Sequence, residues 1–473
     1  MTITAIIAEY NPFHNGHAYQ LQKARELTGA DALIVIMSGN FVQRGEPAIV
    51  NKYTRAQSAL ENGADLVIEL PVCYACGSAE FFARGAVSVL NKLGCVDYLC
   101  FGSESGELTL LDKIADILIK EPAAYKDSLK AALKQGKSYP SARKAALKDY
   151  IGSQQADRLI SSADDTSPSV FAAMFSVPCD ADETTGTDLS IMDTPNNILA
   201  LEYVKELKRS GSTIRPVTLK RLGSAYHNIH LEETDPLSFS TLSLMSEKES
   251  LLFSSATAIR EALKNAEVSE ELTQLRNHMP ENAFSLLSDA FGHGMPVLSD
   301  DFSGMLHYAL LSAYHENPVV SHPFSDYLDV SEDFSDKLQN SLYQYPSVSG
   351  LCERLKSKDL TYTRISRNLF HILLHLKQKD LAEYLENGIT FYARLLGLNR
   401  SNQALTGKLK RSAAIPLISS PAKAESLLGQ IGRKQFFSDL FAADLYESVV
   451  SQKYHTVMKN EYERRLLCVS HDF

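Results

Sequence analysis

The sequence predicts an α/β protein whose first half is wound on a parallel sheet and whose second half is helical. Three observations carry this. Apolar runs of strand length alternate with amphipathic helical stretches through about the first hundred residues, the pattern of βαβ units with right-handed crossovers. A polar helical stretch rich in Lys and Ala, Leu108 to about Ser176, interrupts the alternation as an insertion. Beyond about Leu272 only helical periodicity and loops remain, with no run that reads as a strand.

Taken in order, Ile3–Ala8 reads as a buried strand, Ala18–Leu27 as a helix and Ala32–Met37 as a second strand. Helix Tyr53–Asn62 leads to strand Leu66–Leu70, and helix Ser78–Leu93 leads to strand Tyr98–Phe101, which Gly102 closes. After the insertion, Pro178–Thr187 reads as a loop, Asn196–Lys208 as a helix and Ile214–Lys220 as a strand ending at Arg221. Glu232–Glu249, rich in Ser, Thr and acid, reads as a loop, and Ser255–Lys264 opens the next helix. Ligands of such sheets sit beyond the carboxyl ends of the strands. The turns after Ala8, Met37, Leu70 and Phe101 are therefore expected to line one site. This divides the chain into a catalytic unit over residues 1–265 and a helical unit over residues 266–473.

Composition narrows the class. With 473 residues and 44% hydrophobic content the chain can build real cores. No segment has the length of a membrane helix, and Glu9 interrupts an N-terminal run that lacks a basic leader, so no signal peptide is expected. Seven cysteines without disulfide-like spacing suit a reduced, cytoplasmic setting. Cys73-Tyr74-Ala75-Cys76 is a lone pair with no second pair nearby, so buried cysteines are expected rather than a metal site. The net charge of −10 argues against indiscriminate nucleic-acid binding. Yet Asp289–Lys337 carries nine acidic residues and one basic, and Arg354–Arg411 carries twelve basic and four acidic. A concentrated basic stretch in an acidic protein suits a specific reader of a polyanion.

The most informative residues follow the first strand: Glu9, Tyr10, Asn11, Pro12, Phe13, His14, Asn15, Gly16 and His17. A strand ends, a Pro-bearing turn follows, and a helix opens with two histidines and a glycine. Backbone N–H groups and the positive end of a helix dipole favour phosphate there. His14 and His17 can put imidazole donors on charge building at an α-phosphate and on departing pyrophosphate. A second constellation, Ser255-Ala256-Thr257-Ala258-Ile259-Arg260, offers hydroxyls and N–H groups at a helix start, with a guanidinium to neutralise phosphate.

The first motif resembles the HxGH signature of the nucleotidylyltransferase superfamily, and the second resembles its SSTxIR motif, with Ala256 where a second Ser is usual. Longer strings sharpen the likeness: Ile7 to His17, Met37-Ser38-Gly39-Asn40-Phe41-Val42-Gln43-Arg44-Gly45-Glu46-Pro47, and Gly63-Ala64-Asp65-Leu66-Val67-Ile68-Glu69-Leu70-Pro71. Phe101-Gly102-Ser103-Glu104, Pro195-Asn196-Asn197-Ile198-Leu199, and Arg221 with Tyr226-His227 follow in order. Together they resemble the bacterial tRNA(Met) cytidine acetate ligase family across residues 1–265 and, more diffusely, the basic helical region.

The resemblance implies a Rossmann-like nucleotidylyltransferase domain followed by an α-helical one. It implies ATP, with Mg²⁺ carried on it, as cofactor, acetate as co-substrate and elongator tRNA(Met) as partner, with neither membrane nor protein partner. By family position Ile7, Ala8, Glu9, Tyr10, Asn11, Pro12, Phe13, His14, Asn15, Gly16, His17, Ala18, Tyr19 and Gln20 line the ATP site. Gly102, Asn196, Asn197, Arg221, Ser255 and Thr257 join them, with His14, His17 and Arg260 catalytic. The implied reaction is acetyl-adenylate formation, then acetyl transfer to N4 of the wobble cytidine. A carboxylate nucleophile needs no base at neutral pH, only in-line placement and charge relief at phosphorus. Lys52, Arg55, Gln43 and Arg44 lie on the turn after the second strand, where nucleotide and RNA contacts are both open. Arg364, Arg367 and His371 share a helical stripe, and with Arg394 and Arg400 are the expected tRNA contacts, with Lys408, Lys410 and Arg411 extending the positive field. An adenylyltransferase acting on a small phosphorylated metabolite, or a tRNA-binding protein without turnover, are the alternatives.

Overall fold

The computed structural model describes residues 1–137, 139–163, 189–220, 231, 252–316 and 320–471. Strand β1 (Ile3–Ala8) leads through α1 (Asn15–Thr28) to β2 (Ala32–Ser38). A small hairpin, β3 (Phe41–Val42) and β4 (Glu46–Pro47), precedes α2 (Lys52–Glu61) and β5 (Leu66–Leu70). Helices α3 (Val72–Ala75) and α4 (Ala79–Leu93) lead to β6 (Tyr98–Ser103). The insertion is helical as expected: α5 (Leu108–Lys120), α6 (Ala123–Lys134) and α7 (Tyr139–Ala163). Then follow α8 (Pro195–Arg209), β7 (Arg215–Lys220) and α9 (Ala256–Asn265). The expected loops at 178–187 and 232–249, the end of the insertion, and Arg221, Tyr226 and His227 lie outside the described residues.

Strands β5, β2, β1, β6 and β7 lie side by side and all parallel. In β1 and β2 the register runs from Ile3 opposite Ala32 to Ala8 opposite Met37. Alternate residues feed two cores. Ile3, Ala5 and Ile7 pack with Ile34 and Ile36 on one face, and Ile6 packs with Leu33, Val35 and Met37 on the other. Burial on both faces is why these strands read as unbroken apolar runs. Cys73 and Cys76 are buried in the first of these cores.

Residues beyond 265 are chiefly helical: α10 (Glu281–Ala290), α11 (Ser303–Glu316), α12 (Glu332–Ser341), α13 (Val348–Leu355), α14 (Tyr362–Leu373), α15 (Gln378–Asn387), α16 (Gln403–Ser412), α17 (Pro421–Leu427) and α18 (Gln430–Tyr454). They also supply β8 (Ala393–Asn399), β9 (Leu417–Ile418) and β10 (Leu467–Val469), which corrects the expectation of no strand past Leu272. Strand β8 runs antiparallel to β5, with Leu398 opposite Leu66, while β9 and β10 pair with β8. The sheet thus has eight strands in the order β10-β8-β5-β2-β1-β6-β7, with β9 beside β8. Two of the added strands are too short to leave a period-2 signal. The third carries Gly397, where a methyl group would lie 2.5 Å from Leu60 Cδ1 and 2.8 Å from Leu467 Cβ. Glycine there reflects close packing, not weak strand character. Among the described residues no helix is long and apolar enough to cross a membrane.

Candidate active site

The carboxyl ends of β1 and β6 open into a cleft of about 210 Å³. The chain leaves β1 through Tyr10, whose φ of 50° is rare for a bulky residue, and reaches α1 with His14 as its N-cap. His14 Nδ1 accepts the N–H of Gly16 at 3.0 Å, and His17 Nδ1 accepts the N–H of His14 at 3.3 Å. The motif is thus a reciprocal cap built from two imidazoles instead of a hydroxyl and a carboxylate. The rings stack with centroids 3.7 Å apart, and Tyr10 and Phe13 pack against His17 at 4.8 Å and 5.6 Å. With Nδ1 accepting in both rings, the neutral tautomers carry their proton on Nε2 and are donors there. Gly16 leaves room for the His14 ring: a methyl group at Gly16 would lie 2.9 Å from its Cε1.

The second motif meets the first through Arg260. Its Nη1 donates to the Asn11 carbonyl at 2.9 Å and its Nη2 to Thr257 Oγ1 at 3.3 Å. Ser255 caps α9 by accepting the N–H of Ala258 at 3.0 Å. Asn11 Oδ1 accepts the N–H of Ile49 at 2.8 Å, fixing the turn from the other side.

The cleft gathers most of the expected ATP-site residues: Ile7, Ala8, Glu9, Tyr10, Asn11, His14, Gly16, His17, Tyr19, Gln20, Gly102, Asn196, Thr257 and Arg260 line it. Pro12, Phe13, Asn15, Ala18, Asn197 and Ser255 do not line it, and Arg221 lies outside the described residues. Several of these have positioning work instead. Asn15 Nδ2 donates to the carbonyls of Leu252 and Asn277, at 3.0 Å and 2.8 Å, tying α1 to the approach to α9. Asn197 is buried and its Oδ1 accepts the N–H of Glu104 at 2.9 Å. Glu104 returns the bond to Asn197 N at 2.9 Å and also accepts from Asn196 Nδ2 at 2.7 Å, so this pair locks α8 to the end of β6.

Sequence reasoning missed the apolar lining of Phe82, Phe101, Leu199, Tyr203, Leu219 and Phe253, and also Lys220 and Ala256. The apolar ones match ordinary core in residue type, while Lys220 ends β7 and Ala256 lies within the second motif. The turn after β2 divides its cations. Gln43, Arg44 and Glu46 line the cleft from the β3–β4 hairpin. Arg55 is fully buried and binds backbone carbonyls of Glu9, Ser38, Gly39 and Val50, stitching β1 to β2. Lys52 is buried between Glu69 at 2.8 Å and Glu461 at 2.9 Å. Neither is placed to touch RNA.

Of the five expected tRNA contacts, Arg364 and Arg400 are exposed and Arg367 is half-buried. Two change role. His371 is wholly buried, its ring nitrogens bonded to the carbonyls of Leu328 and Cys76 at 2.8 Å each, and burial pushes its pKa down. It is a core residue held between those two carbonyls, not a surface cation. Arg394 is 3% exposed and pairs with Glu461 at 3.5 Å, so its charge is spent inside the protein. Helix α14 nonetheless sits beside the site. Ser366 Oγ donates to the Gly45 carbonyl, and Gly45, with φ of 71°, lies directly on the Arg367 backbone. The helix bearing Arg364 therefore rests on the hairpin bearing Arg44.

Comparison with known proteins places this arrangement. The HIGH Nucleotidyl Transferase family profile matches residues 1–461. The tRNA(Met) cytidine acetate ligase of Thermoanaerobacter sp. (strain X514) is 38% identical over 447 residues, covering 94% of this chain and 95% of that protein. The enzyme of the same name from Halothermothrix orenii is 34% identical over 453 residues, covering 94% of each chain. The crystal structure of Thermotoga maritima TmcAL bound with alpha-thio ATP superposes with a TM-score of 0.79 at 27% identity, covering both chains fully. With the paired imidazoles, the bridging arginine and these similarities together, the chain belongs to the HIGH nucleotidyl transferase family and, within it, to the tRNA(Met) cytidine acetate ligases.

Proposed function

We propose that this protein joins acetate to ATP, forming acetyl-adenylate and pyrophosphate, and then passes the acetyl group to N4 of the wobble cytidine of elongator tRNA(Met). AMP leaves and N4-acetylcytidine results. The observation that carries this reading is the convergence of His14, His17 and Arg260 on one cleft, with the Nδ1 atoms of both rings accepting backbone N–H groups. Donors held in place before charge develops cost no reorganisation when an α-phosphate is attacked. Acetate arrives ionised and needs no base. The names of the relatives support acetate and tRNA(Met), and the alpha-thio ATP in the Thermotoga structure supports the nucleotide.

No group of three or more metal-ligating side chains occurs among the described residues. In this reading Mg²⁺ enters on the triphosphate and supplies charge neutralisation there. The exposed Arg364 and Arg400, with Arg367, contact the tRNA backbone, and a tRNA substrate sets the work in the cytoplasm. Pyrophosphate release tests the first step. Release that requires acetate supports the ligase. Release that requires a phosphorylated metabolite would favour a small-molecule adenylyltransferase, and no release beside intact tRNA binding would favour a binding protein.

A further inference from the structure

Acylation of an exocyclic amine releases a proton, so an acceptor must stand within reach of the attacking nitrogen. The cleft histidines are poorly suited. Each accepts a backbone N–H at Nδ1, at 3.0 Å for His14 and 3.3 Å for His17, which assigns the proton of the neutral ring to Nε2. Among the described residues lining the cleft the only carboxylates are Glu9 and Glu46.

Glu9 is the anchored one. It follows β1 directly, and its Oε1 accepts the N–H of Gln43 at 2.8 Å. That bond pins the carboxylate between the nucleotide-facing turn and the β3–β4 hairpin, on which α14 rests through Gly45 and Ser366. Burial, with Glu46 opposite, raises the Glu9 pKa, while the Gln43 N–H, Arg260 and Arg44 draw it down without cancelling the rise. Arg55, which donates to the Glu9 carbonyl at 2.6 Å, Tyr203 and Cys76 are its other titratable neighbours. A carboxylate moved toward neutrality is better matched to proton abstraction than an ordinary one.

We propose that Glu9 is the general base that takes the proton from the cytidine amine as it attacks the acetyl carbonyl, a role that rests on the ligase reading above. The C–N bond forms and the acyl C–O bond to AMP breaks, its electron pair leaving on the phosphate oxygen. The proton passes from N4 to the Glu9 carboxylate and on to water.

The test separates the two steps. Wild type and Glu9→Gln, which keeps the side-chain volume and an acceptor for Gln43 N–H, receive synthetic acetyl-adenylate and unmodified elongator tRNA(Met). In parallel both receive acetate, ATP and hydroxylamine, a strong nucleophile that traps acetyl-adenylate as a hydroxamate, its proton passing to the buffer and not to a side chain. Glu9→Gln is expected to slow transfer by about 10²–10⁴-fold. At saturating ATP, transfer should fall by at least about tenfold more than hydroxamate formation, the acid limb of the transfer pH profile should vanish, and Glu9→Asp should recover part of the rate. Transfer within about threefold of wild type would overturn the assignment. So would equal loss of both products, or a selective loss in Glu46→Gln with none in Glu9→Gln. A wild type that forms no hydroxamate from acetate and ATP overturns the ligase reading and Glu9's role with it.

Discussion

Gly16→Ala isolates the geometry of the paired imidazoles from the stability of the fold. Gly16 lies in the first turn of α1 and its φ is not in the left-handed region, so alanine meets no backbone strain. The added methyl would lie 2.9 Å from His14 Cε1 and 3.1 Å from Nδ1. Carbon contacts relax at about 3.5–4.0 Å, so the ring must retreat by roughly 0.5–1 Å. Alanine in a helix gains about 0.5–1 kcal/mol over glycine. The weakened His14–Gly16 hydrogen bond costs about 1 kcal/mol. Net stability should therefore change by less than about 1 kcal/mol. Activity should not be spared, since a misplacement of about 1 Å at reacting groups costs about 10²-fold. The assay is acetate-dependent pyrophosphate release, with urea denaturation of the same samples. Near wild-type release would refute the reasoning, as would a loss of several kcal/mol in stability accounting for the lost activity.

Four further outcomes follow from the structure. His17→Ala should lower pyrophosphate release by about 10²–10³-fold, the usual cost of one preorganised donor, while gel-shift affinity for tRNA holds. Arg364→Ala and Arg400→Ala should each weaken tRNA binding and reduce its salt slope by about 1. Arg394→Ala should instead destabilise the fold by about 3 kcal/mol or more in denaturant titration, because it strips a cation from the buried Glu461 pair. Asp439 lies buried against Val72 N at 2.7 Å and the Tyr392 hydroxyl, and burial pushes its pKa up to about 8. In the unfolded chain it ionises near the ordinary carboxylate value, so wild-type stability should fall from about pH 4 to about pH 8 and then level. Asp439→Asn should remove that component in thermal melts taken across the range.

The sheet strands before residue 221 were legible because a strand buried on both faces must be apolar throughout, and Ile3–Ala8 and Leu66–Leu70 are such runs. Strand β8 was hidden because Arg394 and Gly397 interrupt its pattern for reasons of tertiary packing, an ion pair and a close approach. The same blindness touched the site. His14, Gly16, His17 and Arg260 were recognisable because their chemistry is local to two helix starts. The basic stripe on α14 gave Arg364 correctly as a surface cation but placed His371 beside it. A helical wheel shows which residues share a face, not which part of that face another element covers. Asn197, which holds the N–H of Glu104 after β6, and Ser255, which caps α9, show that the donors and acceptors suited to a ligand also serve the scaffold.

The measurement that bears most directly on the whole account supplies radiolabelled acetate, ATP, Mg²⁺ and bacterial tRNA lacking the modification, followed by nuclease digestion. The account predicts label in N4-acetylcytidine that requires ATP and does not come from acetyl-coenzyme A. Absence of that label while ATP is hydrolysed or tRNA stays bound would contradict it.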